Sequence, residues 1–256
     1  MTLSVVIPAR DEAGSIEATL SSLISTLRRQ NIPFEIVVVN DGSTDDTSAR
    51  IEPFLGEGVK LVHNMGRHGF GIAVGVGLEL AKGDAVAIMM ADGSDSPEDL
   101  VRYYEEIQKG FDCVFGSRFV PGGRVVDYPW HKLIVNRLAN WFIMLAFGLH
   151  FNDVTNAFKC YRKEVIAGIQ PLISPHFNLT VELPLKAIVR GYSYTSIPIS
   201  WTNREAGISK LKLKEMGSRY LFIVLYLWLE KHLSRGDYHR HTGAVVEYKA
   251  ADEPHV

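Results

Sequence analysis

The sequence predicts an α/β fold, doubly wound, with a mostly parallel central sheet flanked by helices. Two observations carry that expectation: short β-branched apolar runs that stop at turn residues, and intervening segments whose apolar residues recur at helical spacing. Composition is compatible with such a fold and closes off others. Of 256 residues, 46% are hydrophobic and 22% charged, which fits one sizeable core and neither a collagen-like repeat nor a disordered polymer. The formal net charge of -2 provides no global field for nucleic acid, so any basic site must be local. Cys113 and Cys160 stand apart, without Cys-x-x-Cys or paired-His spacing, so buried packing in a reducing compartment is expected rather than a zinc site.

Leu3 to Ile7, ended by Pro8, and Phe34 to Val39, ended by Asn40-Asp41-Gly42-Ser43, read as buried parallel strands. Between them Ile16, Leu20, Leu23, Ile24 and Leu27 mark a helix with an acidic start at Asp11-Glu12. The alternation repeats with a strand over Val59 to His63, a small-residue helix over Ile72 to Leu80, and a strand over Ala85 to Met90 that breaks at Ala91-Asp92-Gly93-Ser94. Pro97 opens another helix as a first-turn proline, and Asp112 to Ser117 is the strand after it. Beyond this point the alternation weakens. Pro121 to Pro129 reads as a mobile loop, Leu133 to Leu149 as a long apolar helix and Tyr192 to Trp201 as a strand. Arg204 to Lys214 reads as a basic loop, and the last strong helix runs from Glu215 to about Leu233. Residues 241–256 lack a core pattern and are expected to be a disordered tail.

In open α/β sheets, ligands sit at the carboxyl ends of the strands. Asp11 and Glu12, Asp41, and Asp92 with Asp95 follow three such strands. A nucleotide diphosphate needs acceptors for base and ribose, and a divalent cation on oxygen ligands to offset its charge. Any one of these acids is more often a helix cap or a turn residue; their joint placement favours the nucleotide. Gly69, Gly71 and Gly75 miss the dinucleotide spacing by one and lie outside the first βα turn, which leaves a nicotinamide oxidoreductase as a lesser alternative.

Three segments, Val6-Ile7-Pro8-Ala9-Arg10-Asp11-Glu12, Val38-Val39-Asn40-Asp41-Gly42-Ser43-Thr44-Asp45 and Ala91-Asp92, together resemble the family-2 nucleotide-sugar glycosyltransferases of the GT-A fold. The resemblance implies a UDP- or GDP-sugar donor whose base and ribose are held by Pro8, Ala9, Arg10, Glu12 and Asp41, with Ala91 and Asp92 beside them. It also implies Mg2+ or Mn2+ on the diphosphate, held by Asp92 with Asp95 or Ser94 completing the shell. The family pattern carries Asp-x-Asp here, whereas this chain has Met90-Ala91-Asp92; a thioether cannot hold a hard cation, which leaves open a catalytically silent nucleotide-sugar binder.

Gly116-Ser117-Arg118, Asn136-Arg137, Asp153-Val154-Thr155-Asn156-x-Phe158 and Arg204-x-x-Gly207-x-Ser209-Lys210 resemble, over about residues 3–215, the dolichyl- and polyprenyl-phosphate sugar synthases. The acceptor implied is a lipid phosphate, an anion that needs Arg and Lys beside the donor diphosphate. Arg118, Arg137, Arg204 and Lys210 are the candidate clamp, and Asp92, Arg118, Arg204 and Lys210 the candidate catalytic set. Glu182 matches an acid that follows the acceptor region in relatives; it is the base that a transferase acting on a saccharide or protein hydroxyl would require. The expected organisation is a catalytic domain over 1–215, with a donor half to about 118 and an acceptor half over 119–215, then an apolar, basic C-terminal helix over 216–240.

No stretch approaches the ~20 apolar residues of a membrane span, and the first residues lack a signal-peptide pattern. The expectation is a cytoplasmic chain associated peripherally with the cytoplasmic face of a membrane. Tyr220 to Leu229 with its flanking basic residues would lie in the interface, or a membrane-anchored partner would hold it there. Core packing or an oligomer interface is the competing use of this segment.

Overall fold

The computed structural model describes residues 1–203 and 213–240. β1 (Leu3–Ala9), β2 (Phe34–Asn40), β3 (Val59–His63) and β4 (Ala85–Ile88) are parallel neighbours in the order β3-β2-β1-β4, joined through α1 (Ile16–Arg29), α2 (Thr47–Ile51) and α3 (Phe70–Leu80). Alternation in these strands feeds two cores. Val5, Ile7, Val38 and Ala87 face α1 and α4 (Pro97–Gln108), while Val6, Val86 and Ile88 face the opposite layer, which includes α3. Ser96 caps α4 by accepting from Glu98 N–H, with Pro97 in the first turn as expected. The acidic Asp11-Glu12 pair belongs to the loop rather than to α1, which starts at Ile16.

The second half adds β5 (Cys113–Ser117), β6 (Arg124–Val126), α5 (Trp130–Phe147), β7 (Lys159–Arg162), α6 (Lys163–Gly168), α7 (Leu179–Val189), β8 (Tyr194–Pro198), β9 (Ser200–Thr202) and α8 (Leu213–Leu233). β7 was not expected. It runs antiparallel between β4 and β5, which gives the seven-stranded order β3-β2-β1-β4-β7-β5-β8. Residues 121–129 are also not a mere mobile loop, because Arg124–Val126 pairs in parallel with Ser200–Thr202 as a second, two-stranded sheet. Both cysteines are buried free thiols on adjacent strands, pushed up by burial, Cys160 to about 12.

α8 is fixed to the body by polar contacts. Arg190 at the end of α7 donates from Nε to Glu230 Oε1 at 2.9 Å with both groups buried; Lys231 Nζ donates to the Phe147 carbonyl at 2.6 Å, and Tyr220 Oη to that of Phe177 at 3.1 Å. No described helix is long and apolar enough to cross a membrane.

Lys159 opens β7, buried, and donates to the carbonyls of Val154 and Thr180 at 3.0 and 3.2 Å. Burial pulls its amine down from 10.5 to about 7, with Asp153 opposing the fall and Arg118 adding to it. The folded pKa lies below the unfolded one, so the unfolded chain holds the extra proton between about pH 7 and 10.5, and this group makes stability rise with pH across that window. Lys159→Met is expected to flatten that rise, measured as the difference in urea midpoints between variant and parent at the two ends of the window.

Candidate active site

The carboxyl ends of β1 and β2 are tied together by their loops. Asp11, at φ +51°, accepts through Oδ1 from Thr44 N–H at 2.8 Å, while the N–H groups of Asp11, Glu12 and Ala13 donate to Ser43, Thr47 and Asp45. The Asp-Gly-Ser-Thr-Asp segment therefore braces the loop after β1. Pro8 and Ala9 are buried in β1, and the Ala9 carbonyl accepts from Asp41 N–H; Arg10 is exposed and Glu12 half-buried. Asp41 itself is buried and receives Asn64 Nδ2 at 2.6 Å and Gly69 N–H at 2.8 Å, with His68 Nδ1 at 3.2 Å. It is the hub that shapes the 64–69 loop.

Gly69 and Gly71, at the start of α3, have a packing role. Gly71 and Ile72 N–H both donate to the Pro175 carbonyl, and a Cβ on Gly71 would stand 2.1 Å from the Ser174 carbonyl oxygen. The N-terminus of α3 is thus closed by the chain's own backbone rather than open to a dinucleotide pyrophosphate. Phe70 stacks on Phe177 at 4.3 Å across the same contact. Gly71→Ala is expected to lower stability by about 1–3 kcal/mol, read from denaturant unfolding, because backbone must move to admit the methyl.

At the end of β4 the chain turns through Met90, Ala91 and Asp92. Ala91 is buried, and its carbonyl accepts from the Thr19 hydroxyl. Asp92 Oδ1 accepts from Ser94 N–H at 3.1 Å, and Asp95 folds back to accept from Met90 N–H at 2.9 Å. Burial pushes the Asp95 carboxyl up to about 7, the Met90 bond opposing and the Asp92 charge adding to the rise. Thr202 N–H donates to the Ser94 carbonyl, so β9 holds this turn from outside.

Arg118 follows β5 and is buried. Nε and Nη2 fork onto Asp153 at 2.8 Å each, Asp153 also accepts from Arg118 N–H, and Nη1 lies outside the fork. The rings of Phe119, Tyr128 and Trp201 stand 5.3–5.8 Å from the guanidinium carbon. Behind it, Thr155 Oγ1 accepts from both Asn136 and Asn140, which locks α5 to the 153–156 loop.

The β4 turn, Arg118 and α5 border one cavity of 420 Å³, whereas Pro8, Ala9, Arg10, Glu12 and Asp41 are not among the residues that line it. Its polar end is formed by Asp92, Ser94, Asp95 and Arg118, with Lys132 and Asn136 alongside; its other end runs between α5 and α8, past Ala139, Phe142, Leu221 and Val224. Acidic and basic groups therefore do share one crevice. Lys132 and Tyr128 were missed by sequence reasoning. The reason is a helix start placed too late: α5 begins at Trp130 behind Pro129, and Lys132 and Asn136, four apart, then fall on one face. Arg137, one residue on, is turned away; it donates to the Asn152 carbonyl at 3.1 Å, lies 4.3 Å over Phe119 and does not border the cavity. Glu182 is not a site residue either. It is fully buried, bonded to Ile173 and Ser174 N–H and to Lys186 Nζ at 2.7 Å. Arg204 and Lys210 lie outside the described residues.

The acidic end fits a shared cation rather than a self-contained metal centre. Among the described residues no group of three metal-ligating side chains occurs, yet Asp92 and Asp95 both face the cavity with Ser94 between them. One or two carboxylates completed by phosphate oxygens and water suit Mg2+ or Mn2+.

Residues 4–169 match the family model described as glycosyl transferase family 2. The chain is 32% identical over 215 residues to the polyprenol monophosphomannose synthase of Mycolicibacterium smegmatis, covering 81% of this chain and 80% of that one. It is 30% identical over 223 residues to the undecaprenyl-phosphate mannosyltransferase of Micrococcus luteus, covering 82% and 88%. It is also 30% identical over 218 residues to the dolichol-phosphate mannosyltransferase of Pyrococcus furiosus, where it covers 84% of this chain and spans only 60% of that protein's length. Among solved structures, glucosyl-3-phosphoglycerate synthase from Mycobacterium tuberculosis in complex with Mn2+, UDP-glucose and phosphoglyceric acid matches with a TM-score of 0.68 at 19% identity, over 89% of this chain and 79% of that one. That likeness shows the GT-A fold.

Proposed function

The chain belongs to glycosyl transferase family 2, and from that premise we propose that it moves one glycosyl unit from a nucleotide diphosphate sugar to a polyprenyl phosphate. The observation that carries the acceptor is the shape of the cavity: carboxylates, then Arg118 and Lys132, then an apolar wall between two helices. A lipid phosphate has that sequence of properties, a saccharide hydroxyl does not. The hydroxyl reading also loses its base, because Glu182 is committed to Lys186 and to backbone N–H groups. The three mannosyl-transferring relatives make mannose the first sugar to test.

An acceptor phosphate oxygen is already anionic, so no proton need be removed before it attacks. The oxygen forms a bond to the anomeric carbon as the bond from that carbon to the diphosphate breaks, and the nucleoside diphosphate leaves with the electron pair. A single displacement of this kind inverts the anomeric centre. The protein's part is to position two anions in line and offset their charge. Arg118, held rigid by Asp153 and the surrounding rings, lines the cavity where the acceptor phosphate would bind, and Lys132 adds a second cation. Asp92, with Asp95, would hold Mg2+ or Mn2+, which when bound neutralises the donor diphosphate. Base and ribose fall to the loops of Arg10, Glu12 and Asp41.

The deciding experiment incubates purified chain and a short-chain polyprenyl phosphate with GDP- and UDP-sugars, with and without Mg2+ or Mn2+, and identifies lipid products by mass. A hexosyl phospholipid from one donor is expected. Nucleotide binding with no product under any cation would instead establish a silent binder. Lys132→Met is expected to raise the acceptor KM about tenfold or more with little change in donor KM.

A further inference from the structure

We propose that Lys159 is a positioning residue for transfer: its buried amine ties the 153–156 loop to the first turn of α7, and so holds in one frame the carboxylate that aims Arg118 and the polar wall of the cavity. The proposal rests on the lipid-phosphate reading above and adds a residue that does not itself line the cavity.

In the sheet Lys159 stands opposite Ile88 of β4 on one side and Phe115 of β5 on the other. Ile88 is the last residue of β4, just before Met90, and Phe115 lies one turn of chain before Arg118. The lysine therefore sits beneath both strand ends that feed the cavity. Its Nζ donates to the Val154 carbonyl on one side and the Thr180 carbonyl on the other. Around Val154 the loop is committed residue by residue. Asp153 forks Arg118; Thr155 accepts from Asn136 and Asn140 while its N–H donates to Asn140 Oδ1; Asn156 Nδ2 donates to the Gly116 carbonyl. Thr155, Asn156 and Thr180 line the cavity. The Thr180 hydroxyl donates to the Phe177 carbonyl, which also accepts from Tyr220, and both rings line the cavity too.

Packing alone does not call for an amine here. Taking a lysine head out of water is costly, and an unbranched apolar chain of similar volume would fill the same space. What such a chain lacks is donors, and α7 needs one. Pro184 lies inside that helix and has no N–H, so the Thr180 carbonyl, four residues earlier, loses its helical partner. Lys159 takes the vacant place and spends its second N–H on a loop far away in sequence. An amine carries the two N–H groups required whether or not it is protonated. The proline and the lysine thus convert an ordinary helical bond into a bridge between two segments of the cavity wall.

The test uses the full chain with Lys159→Met, which keeps an unbranched side chain without donors, and with Lys159→Met plus Pro184→Ala, in which residue 184 regains an N–H for the Thr180 carbonyl. Lys159→Met is expected to raise the KM for a short, dispersed prenyl phosphate about tenfold or more, with the donor KM changed less than about twofold. Hydrogen exchange should quicken about tenfold or more at the amides of Thr155 and Asn156 and stay unchanged along β1 and β2. The double variant should regain melting temperature and keep the raised acceptor KM, and it carries the same comparison where the single variant unfolds. Recovery of stability and acceptor KM together overturns the proposal, because Lys159 would then serve only to satisfy a carbonyl. A donor KM that rises in step with the acceptor KM overturns it as well, as does unaltered exchange at Thr155 and Asn156. Exchange requires no donor and no turnover. A parent chain that transfers no sugar refutes the lipid-phosphate reading, and the exchange result then decides the tie alone; a parent that transfers while Lys159→Met moves neither acceptor KM nor exchange does the reverse.

Discussion

Asp92→Asn is expected to fold like the parent and to transfer sugar about a hundred- to a thousandfold more slowly. The substitution preserves volume and keeps an oxygen to accept from Ser94 N–H, so what it removes is one negative charge at the acidic end of the cavity. That charge has little reserve. Position 90, where the family pattern carries an acid, is methionine, and Asp95 is buried with one oxygen already engaged by Met90 N–H. Single-turnover transfer from radiolabelled donor across a range of Mn2+ concentrations measures the loss, with thermal unfolding as the control for folding. Undiminished turnover would remove Asp92 from the donor site.

The largest effect on stability is expected at Asp153. Its carboxylate is fully buried and takes three hydrogen bonds from Arg118, and the facing guanidinium is 6% exposed. Asp153→Ala strips the buried guanidinium of its bidentate carboxylate, which costs about 3–5 kcal/mol and lowers the melting temperature by roughly 6–20 °C. Replacing both members, Arg118→Met with Asp153→Leu, should recover much of the stability, because a buried pair exchanged for apolar side chains is often neutral. Transfer should not recover with it, since the acceptor phosphate then lacks its principal donor. A double variant that regained activity along with stability would reduce Arg118 to a structural part.

The donor half was legible because each βα unit there is local: an apolar run, a turn and a helix within a few dozen residues, with the acids at the turns. β7 escaped because Lys159-Cys160-Tyr161-Arg162 shows neither an apolar run nor alternation of the usual kind, and its pairing is decided by strands far away in sequence. A buried lysine inside a strand runs against propensity and is tolerated through two distant carbonyls. Arg118 was reached through the resemblance at Gly116-Ser117-Arg118, whereas its partner's role depends on a contact 35 residues off. Arg137 came from the resemblance at Asn136-Arg137, while Lys132 lay before the expected helix start at Leu133, and helix phase cannot be set until the first helical residue is known. Glu182 was named because it matches an acid that follows the acceptor region in relatives; in the fold it is buried against Lys186 as an internal brace.

The antiparallel strand in mid-sheet has a consequence for how the protein is made. β4, whose end carries Asp92, meets β1 early in synthesis, but its other side stays bare until residues 159–162 emerge, and β5 waits for residues 159–161 and then for β8. A ribosome-bound chain halted near position 150 would therefore present one bare side of β4 and both sides of β5, the condition under which nascent sheets recruit the wrong neighbour. The cavity closes later still, because α8, which brings Tyr220, Leu221 and Val224 to its wall, is made after every strand of the sheet.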